Sequence, residues 1–133
     1  MNKFKQIASF LTLFFMANFF SFCSAETSFK SVTVEEFEQY TASDTSVIVL
    51  DVRRPAEFEE GHLPGAVNID VLAADFTEKA TTLLPAGSKL AVYCRSGRRS
   101  KNAASILTEK GYSVVELNTG ILGWINAAKT ITK

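Results

Sequence analysis

Seven consecutive residues, Cys94-Arg95-Ser96-Gly97-Arg98-Arg99-Ser100, hold the chemistry-bearing pattern of this chain. A single thiol is followed within five positions by a glycine and three arginines. A tight strand–loop–helix turn aims successive backbone N–H groups at one point, Gly97 can take a positive φ there, and the next helix adds the positive end of its dipole. Such surroundings lower a thiol from about 8.5 toward roughly 3.5–7.5. They make a thiolate nucleophile in an anion cradle. A cysteine that only fills space needs no such company.

The elements around this loop must present it. Leu90-Ala91-Val92-Tyr93 is an apolar run of the kind buried on both faces of a parallel sheet, and Ser100 to Lys110 is helical, with Ala103, Ile106 and Leu107 on one face and Gly111 as its stop. The same alternation runs through the chain. Thr33 and Glu36 have capping-box spacing, which predicts a short helix through Phe37 and Tyr40. Val47-Ile48-Val49-Leu50 is a buried strand; Pro55 opens and Gly61 closes a small helix; Ala66-Val67-Asn68-Ile69 is a short strand. Leu72 to Leu84 is expected to be helix, with Leu72, Phe76 and Leu83 as its apolar residues. Val114-Val115-Glu116-Leu117 is a strand and Ile121 to Ala128 a last helix. Apolar strands alternating with helices mean a parallel α/β sheet, whose ligands bind at the carboxyl ends of the strands, where Cys94 lies.

The start of the chain is different. Seven of the eleven phenylalanines fall in the first 22 residues; Lys3 and Lys5 precede an apolar run from Ile7 to Phe22, and Cys23-Ser24-Ala25 follows. That is the layout of a secretory signal peptide. The expected organisation is a signal over 1–25 and one domain over 26–133, in a protein exported to the periplasm or outside the cell. An uncleaved membrane anchor is the first alternative, disfavoured because a span needs about 20 apolar residues and this run is shorter and spotted with polar residues. Lipid anchoring through Cys23 is the second and lesser one, since Phe22 stands where a small residue usually precedes the lipidated cysteine. After cleavage Cys94 is the only thiol left, in a compartment where disulfides form.

Composition narrows the function classes. The 133 residues carry 14 basic and 14 acidic side chains, so no basic field recruits nucleic acid. One histidine leaves no multi-histidine metal site, and two cysteines make no disulfide scaffold.

At the Cys94 loop the chain resembles the rhodanese family of sulfurtransferases. A second match is upstream: Asp51-Val52-Arg53, Glu57-Phe58, Gly61-His62, Gly65-Ala66 and Asn68-Ile69 are similar to that family's D-V-R-x-x-x-E-F-x-x-G-H-x-x-G-A-x-N-I. A third is Gly120 with Trp124, similar to G-G-x-x-x-W, with Thr119 in place of the first glycine. The resemblance covers residues 32–128. It implies a five-stranded parallel sheet flanked by helices on both faces, with a first strand near Phe29 to Val32. It implies a double displacement. The Cys94 thiolate takes the outer sulfur of a small anionic donor such as thiosulfate, becomes a persulfide, and passes that sulfur to cyanide or a thiol, a protein thiol included. No metal or organic cofactor is called for. Cys94 is then the catalytic residue; Arg95, Ser96, Gly97, Arg98, Arg99 and Ser100 bind substrate; and Asp51 and Arg53 support the loop, unless Arg53 simply pairs with Glu57. His62 is expected to brace a turn, and Phe58 and Trp124 to fill the core.

Two other functions fit parts of the pattern. Phosphatases and arsenate reductases of similar fold also use a Cys-to-Arg loop, but the related phosphatases have five residues between Cys and Arg, where Cys94 and Arg99 have four between them. A rhodanese-like binding module, non-catalytic or merely carrying a persulfide, is the second.

Overall fold

The computed structural model describes residues 28–133. The expected signal segment and Cys23 lie outside the described residues. Ten elements alternate: β1 (Lys30–Val32), α1 (Val34–Ser43), β2 (Ile48–Asp51), α2 (Pro55–Glu60), β3 (Val67–Asn68), α3 (Phe76–Leu83), β4 (Lys89–Tyr93), α4 (Arg98–Glu109), β5 (Ser113–Leu117) and α5 (Gly120–Asn126). The strands form one sheet in the order β1-β5-β4-β2-β3, every neighbouring pair parallel. β4 is therefore central, with Leu50 opposite Val92 on one side and Val92 opposite Glu116 on the other.

The period-2 alternation of β4 divides the core. Leu90, Val92 and Cys94 point to one face, where they pack with Phe76, Ala80, Ala103 and Leu107 of α3 and α4. Ala91 and Tyr93 point to the other, against Phe37 of α1 and Ile121 and Trp124 of α5. Cys94 is thus the last inward residue of a buried row, and its backbone is the point where strand becomes loop. Among the described residues no helix is long and apolar enough to cross a membrane.

Local signals explain most boundaries. Thr33 caps α1, its hydroxyl accepting from the Glu36 amide at 3.3 Å, and Pro55 occupies the first turn of α2. The third helix differs from expectation. It starts at Phe76, because Asp70 closes a side-chain turn on the Leu72 amide at 2.9 Å. Its buried face is Phe76 and Ala80, while Leu72 and Leu83 are 54% and 62% exposed. Phe58 also departs from expectation: it is only half-buried and stacks on His62 with ring centroids 3.8 Å apart. Trp124 is buried, edge-on to Phe37.

Candidate active site

Cys94 sits at the carboxyl end of the central strand and is 1% exposed. The chain then turns through Arg95 and Ser96 to Gly97, the N-cap of α4, at φ 105° and ψ −10°. Only glycine suits this position twice over. The backbone is left-handed, and a Cβ there would stand 2.2 Å from the Asn118 carbonyl oxygen. In this pose the Gly97 amide donates to Cys94 Sγ at 3.1 Å.

The carbonyls of the same loop are turned away. Cys94 O accepts from the Ile121 amide at 2.9 Å and Arg95 O from the Leu122 amide at 3.1 Å. The start of α5 thus ties down the acceptors of the loop and leaves its donors facing the sulfur. This needs close approach: Gly120 has φ 62°, and a Cβ on it would lie 2.3 Å from Arg95 O. Thr119, where the resemblance has the first glycine of its pair, is accommodated at φ −97°, with its hydroxyl over Gly123, where a Cβ would stand 1.9 Å from Oγ1.

Burial pushes the Cys94 thiol up. Hydrogen bonds to the ionised sulfur, from the Ser100 hydroxyl when it turns to the thiolate and from the Ser100, Gly97 and Ser96 amides, outweigh that and hold it below its ordinary value. The arginine charges, which the sequence suggested as part of the cause, are not among the leading ones.

The three arginines separate. Arg99 is half-buried and forms a two-pronged pair with Glu57 of α2, at 2.7 and 2.9 Å. Its fork, expected to bind substrate, is engaged by a carboxylate here. Arg95 and Arg98 are exposed. Arg95 stands between two clefts, one of about 230 Å³ walled by Arg53, Glu57, Leu122 and Ile125, the other of about 450 Å³ walled by Arg54, Leu72 and Arg99. Ser96 is exposed on the loop and Ser100 is fully buried, so Ser100 reaches a substrate only through Cys94.

Asp51 and Arg53 form a buried brace. Arg53 Nε lies 3.0–3.1 Å from both Asp51 oxygens; Nη2 donates to Oδ2 at 2.7 Å and to the Gly61 carbonyl at 2.6 Å. Asn68 Nδ2 donates to the carbonyls of Asp51 and Arg53. Arg53 therefore pairs with Asp51 and not with Glu57. His62 Nδ1–H donates to the Phe58 carbonyl at 2.9 Å, and its backbone makes a two-bond bridge to Thr132. These are turn-bracing contacts.

One group was not singled out from the sequence. Glu116 of β5 is fully buried, and its carboxylate accepts from Ser100 Oγ at 2.7 Å, Ser31 Oγ at 2.6 Å and Lys101 Nζ at 3.3 Å. It lies behind Ser100, which contacts Cys94 Sγ at 3.3 Å. A carboxylate inside an otherwise apolar strand of a sheet covered on both faces was the available signal.

A parallel α/β sheet with a thiol in a ring of amides at the end of its central strand is an arrangement that can hold a charged sulfur. Residues 33–127 match the rhodanese-like domain, and the chain belongs to that family. It is 35% identical to the thiosulfate sulfurtransferase GlpE of Shewanella oneidensis over 102 residues, which cover 75% of this chain and 96% of that one. It is 34% identical to the putative sulfur carrier protein YrkF of Bacillus subtilis over 98 residues, 73% of this chain; there it spans about half of the relative's length, 51%. The crystal structure of a rhodanese-related protein from Thermoplasma volcanium superposes with a TM-score of 0.67 at 29% identity, covering 78% of this chain and 98% of that one.

Proposed function

We propose that the protein is a sulfurtransferase that carries a sulfane sulfur on Cys94. The observation that supports this best is the convergence of the Ser96, Gly97 and Ser100 amides on a buried sulfur, with Gly97 N at 3.1 Å. In the first displacement the Cys94 thiolate attacks the outer sulfur of thiosulfate or a similar anionic donor. An S–S bond forms to Cys94, the donor's S–S bond breaks, and sulfite leaves with the electron pair. In the second, cyanide or a thiolate attacks the outer sulfur of the persulfide, and the electron pair returns to Sγ. Both are nucleophilic displacements at sulfur, and neither needs a metal or an organic cofactor. The loop donors stabilise the charge wherever it sits, on Sγ or on the outer sulfur. Arg95 and Arg98, exposed at the rim, draw the anionic donor in.

The four residues between Cys94 and Arg99 make a small ring of donors. It suits a single sulfur atom. A phosphoryl group on sulfur carries three outer oxygens, each in need of donors, and with Arg99 engaged by Glu57 one cation fewer is available to them.

The test is mass spectrometry of the intact full chain after reduction, after thiosulfate, and then after cyanide. The expected result is one sulfur gained on Cys94 and lost again as thiocyanate. A Cys94 that never gains sulfur, or hydrolysis of an aryl phosphate dependent on Cys94, would overturn the reading. The N-terminal pattern adds the proposal that the working protein is exported and begins at Glu26; N-terminal sequencing that finds Met1 on a cytoplasmic product would exclude that.

A further inference from the structure

The Ser100 hydroxyl has two partners and one proton. It donates to Glu116 Oε1 at 2.7 Å, a short bond to a carboxylate. Toward Cys94 it then presents a lone pair, and the resting thiol donates to it at 3.3 Å. Yet a thiolate at Cys94 wants that same hydroxyl as a donor. Both demands are met at once if Glu116 takes up a proton when Cys94 loses one.

The charges around the pair favour this exchange. Glu116 and Cys94 are 0% and 1% exposed and are linked by one serine. Two negative charges so close in a region closed to water oppose each other. One negative charge, on either group, is matched. On Glu116 it is met by Ser31 of β1 and by Lys101 of α4. On Cys94 it is met by the loop amides. Of the other charged groups near Cys94, Arg99 of α4 is paired with Glu57 of α2 and Asp51 of β2 with Arg53, while Arg95 and Arg98 of the loop are exposed to solvent.

We propose that Glu116 and Cys94 hold one proton in common, relayed through the Ser100 hydroxyl, and that Glu116 is thereby a positioning residue for the nucleophile. The step balances within the site. The S–H bond of Cys94 breaks as its proton goes to Ser100 Oγ, and the proton that Oγ held goes to Glu116 Oε1. Neutral thiol and carboxylate become thiolate and carboxylic acid, with no net charge created in the interior. The hydroxyl then points at sulfur. When Cys94 becomes a persulfide, the charge moves outward by one S–S bond, away from Glu116. The inference rests on Cys94 being the nucleophile of the proposed function, but its test needs neither donor nor acceptor.

The test follows alkylation of reduced full-length protein by iodoacetamide, a neutral reagent, read at the Cys94 peptide across pH. Glu116→Gln removes the like charge and leaves Ser100 free to donate to sulfur. Alkylation near pH 6 is expected to rise about tenfold, as a one-proton curve replaces a broad, two-step one. Ser100→Ala removes the relay but keeps the carboxylate, and alkylation is expected to fall by a similar factor. The opposite signs are the signature, because a merely structural role would loosen the loop and move both variants the same way. Ser31→Ala, at an exposed residue that touches Glu116, strips one donor from the carboxylate. It should shift the shared proton toward Glu116 and raise alkylation roughly threefold, which keeps the test open if Glu116→Gln does not fold. An unchanged or slower Cys94 in folded Glu116→Gln, or an unchanged Cys94 in Ser31→Ala, would overturn the proposal. Either result would leave the sulfurtransferase reading standing.

Discussion

The ends of the two adjacent strands β2 and β4 carry the two most charged motifs of the chain, and they use their polar groups in opposite ways. After β2, Asp51, Arg53 and Asn68 satisfy one another and nearby carbonyls: Arg53 alone makes contacts of 2.6 and 2.7 Å to Gly61 O and Asp51. The set closes largely on itself, with Arg53 also in the wall of the cleft beside Arg95. After β4, the loop turns its carbonyls onto α5 and leaves its amides around one sulfur. A set of polar residues that closes on itself stabilises a shape; one that leaves like-signed donors converging on a single atom can stabilise charge formed in a reaction. Residue types do not separate the two cases, since both motifs are rich in arginine. Partner geometry does.

The largest effect is expected at the sulfur itself. Cys94→Ser should remove sulfur transfer entirely, down to the background of the assay and at least about 10³-fold, because a hydroxyl is scarcely ionised and forms no persulfide. The melting curve should change little, since the site loses only one polarizable atom. Residual thiosulfate:cyanide activity in the purified Cys94→Ser variant would show that the converging amides are not the reaction centre.

The mirror experiment targets β2. Asp51→Asn leaves the Arg53 guanidinium, 6% exposed, without its charge partner. Removing one member of a buried pair costs about 3–5 kcal/mol, or a Tm fall on the order of 10 °C or more for a domain of this size. Sulfur transfer per folded molecule should stay within about threefold of the parent, an allowance well below the 10²–10⁴ of a lost catalytic group. A stable Asp51→Asn protein with a collapsed kcat would place Asp51 in the chemistry and erase the contrast between the two strand ends.

A third comparison lies within the loop. Arg95 is exposed at the rim, and Arg99 is engaged by Glu57. Arg95→Gln should raise KM for thiosulfate about three- to tenfold with kcat nearly unchanged, an effect that added salt should shrink. Arg99→Gln should lower Tm and leave KM close to the parent. The reverse assignment of the two phenotypes would mean that Arg99 leaves Glu57 when substrate arrives.

These contrasts also show what was legible in the sequence. The order of elements from α1 onward was, because apolar runs such as Leu90–Tyr93 and Val47–Leu50 declare themselves without knowledge of neighbours; β1, short and largely exposed, came only through the family resemblance. Cys94 and Gly97 were legible because thiol, glycine and helix start are contiguous. The pairing of Arg99 with Glu57 was not, since it joins positions 42 apart and depends on how α2 lies over α4. Leu72 misled because helical spacing does not say where the helix begins, and Asp70 captures the Leu72 amide before it does. Leu83 misled because it is the last residue of α3, where it stays exposed. Glu116 was visible as a letter in Val114-Val115-Glu116-Leu117, yet its meaning required β1 and α4 to be placed on either side of it.

The smallest effect sharpens the comparison from the bracing side. Arg99, first of all, holds the Glu57 carboxyl down to about 2, helped by the Arg54 amide and opposed by partial burial. In the unfolded chain a glutamate titrates near 4.3. The folded value is the lower one, so the contribution to stability is fully present above about 4.3 and disappears as pH falls toward 2. Glu57→Gln removes it at every pH. The deficit of the variant should therefore be about 1 kcal/mol at neutral pH and shrink to nothing near pH 2, as read from urea midpoints at several pH values. The same change frees Arg99, which lies near enough to Cys94 for each charge to be felt by the other. A third unengaged arginine beside the loop should then lower KM for thiosulfate by about twofold, within the range of a partly screened charge. A stability deficit that persists unchanged at pH 2.5 would mean that Glu57 acts through packing, not through its charge. A KM that rises would mean that the Glu57–Arg99 pair is itself part of the anion site, and the line drawn here between bracing and reacting arginines would have to be moved.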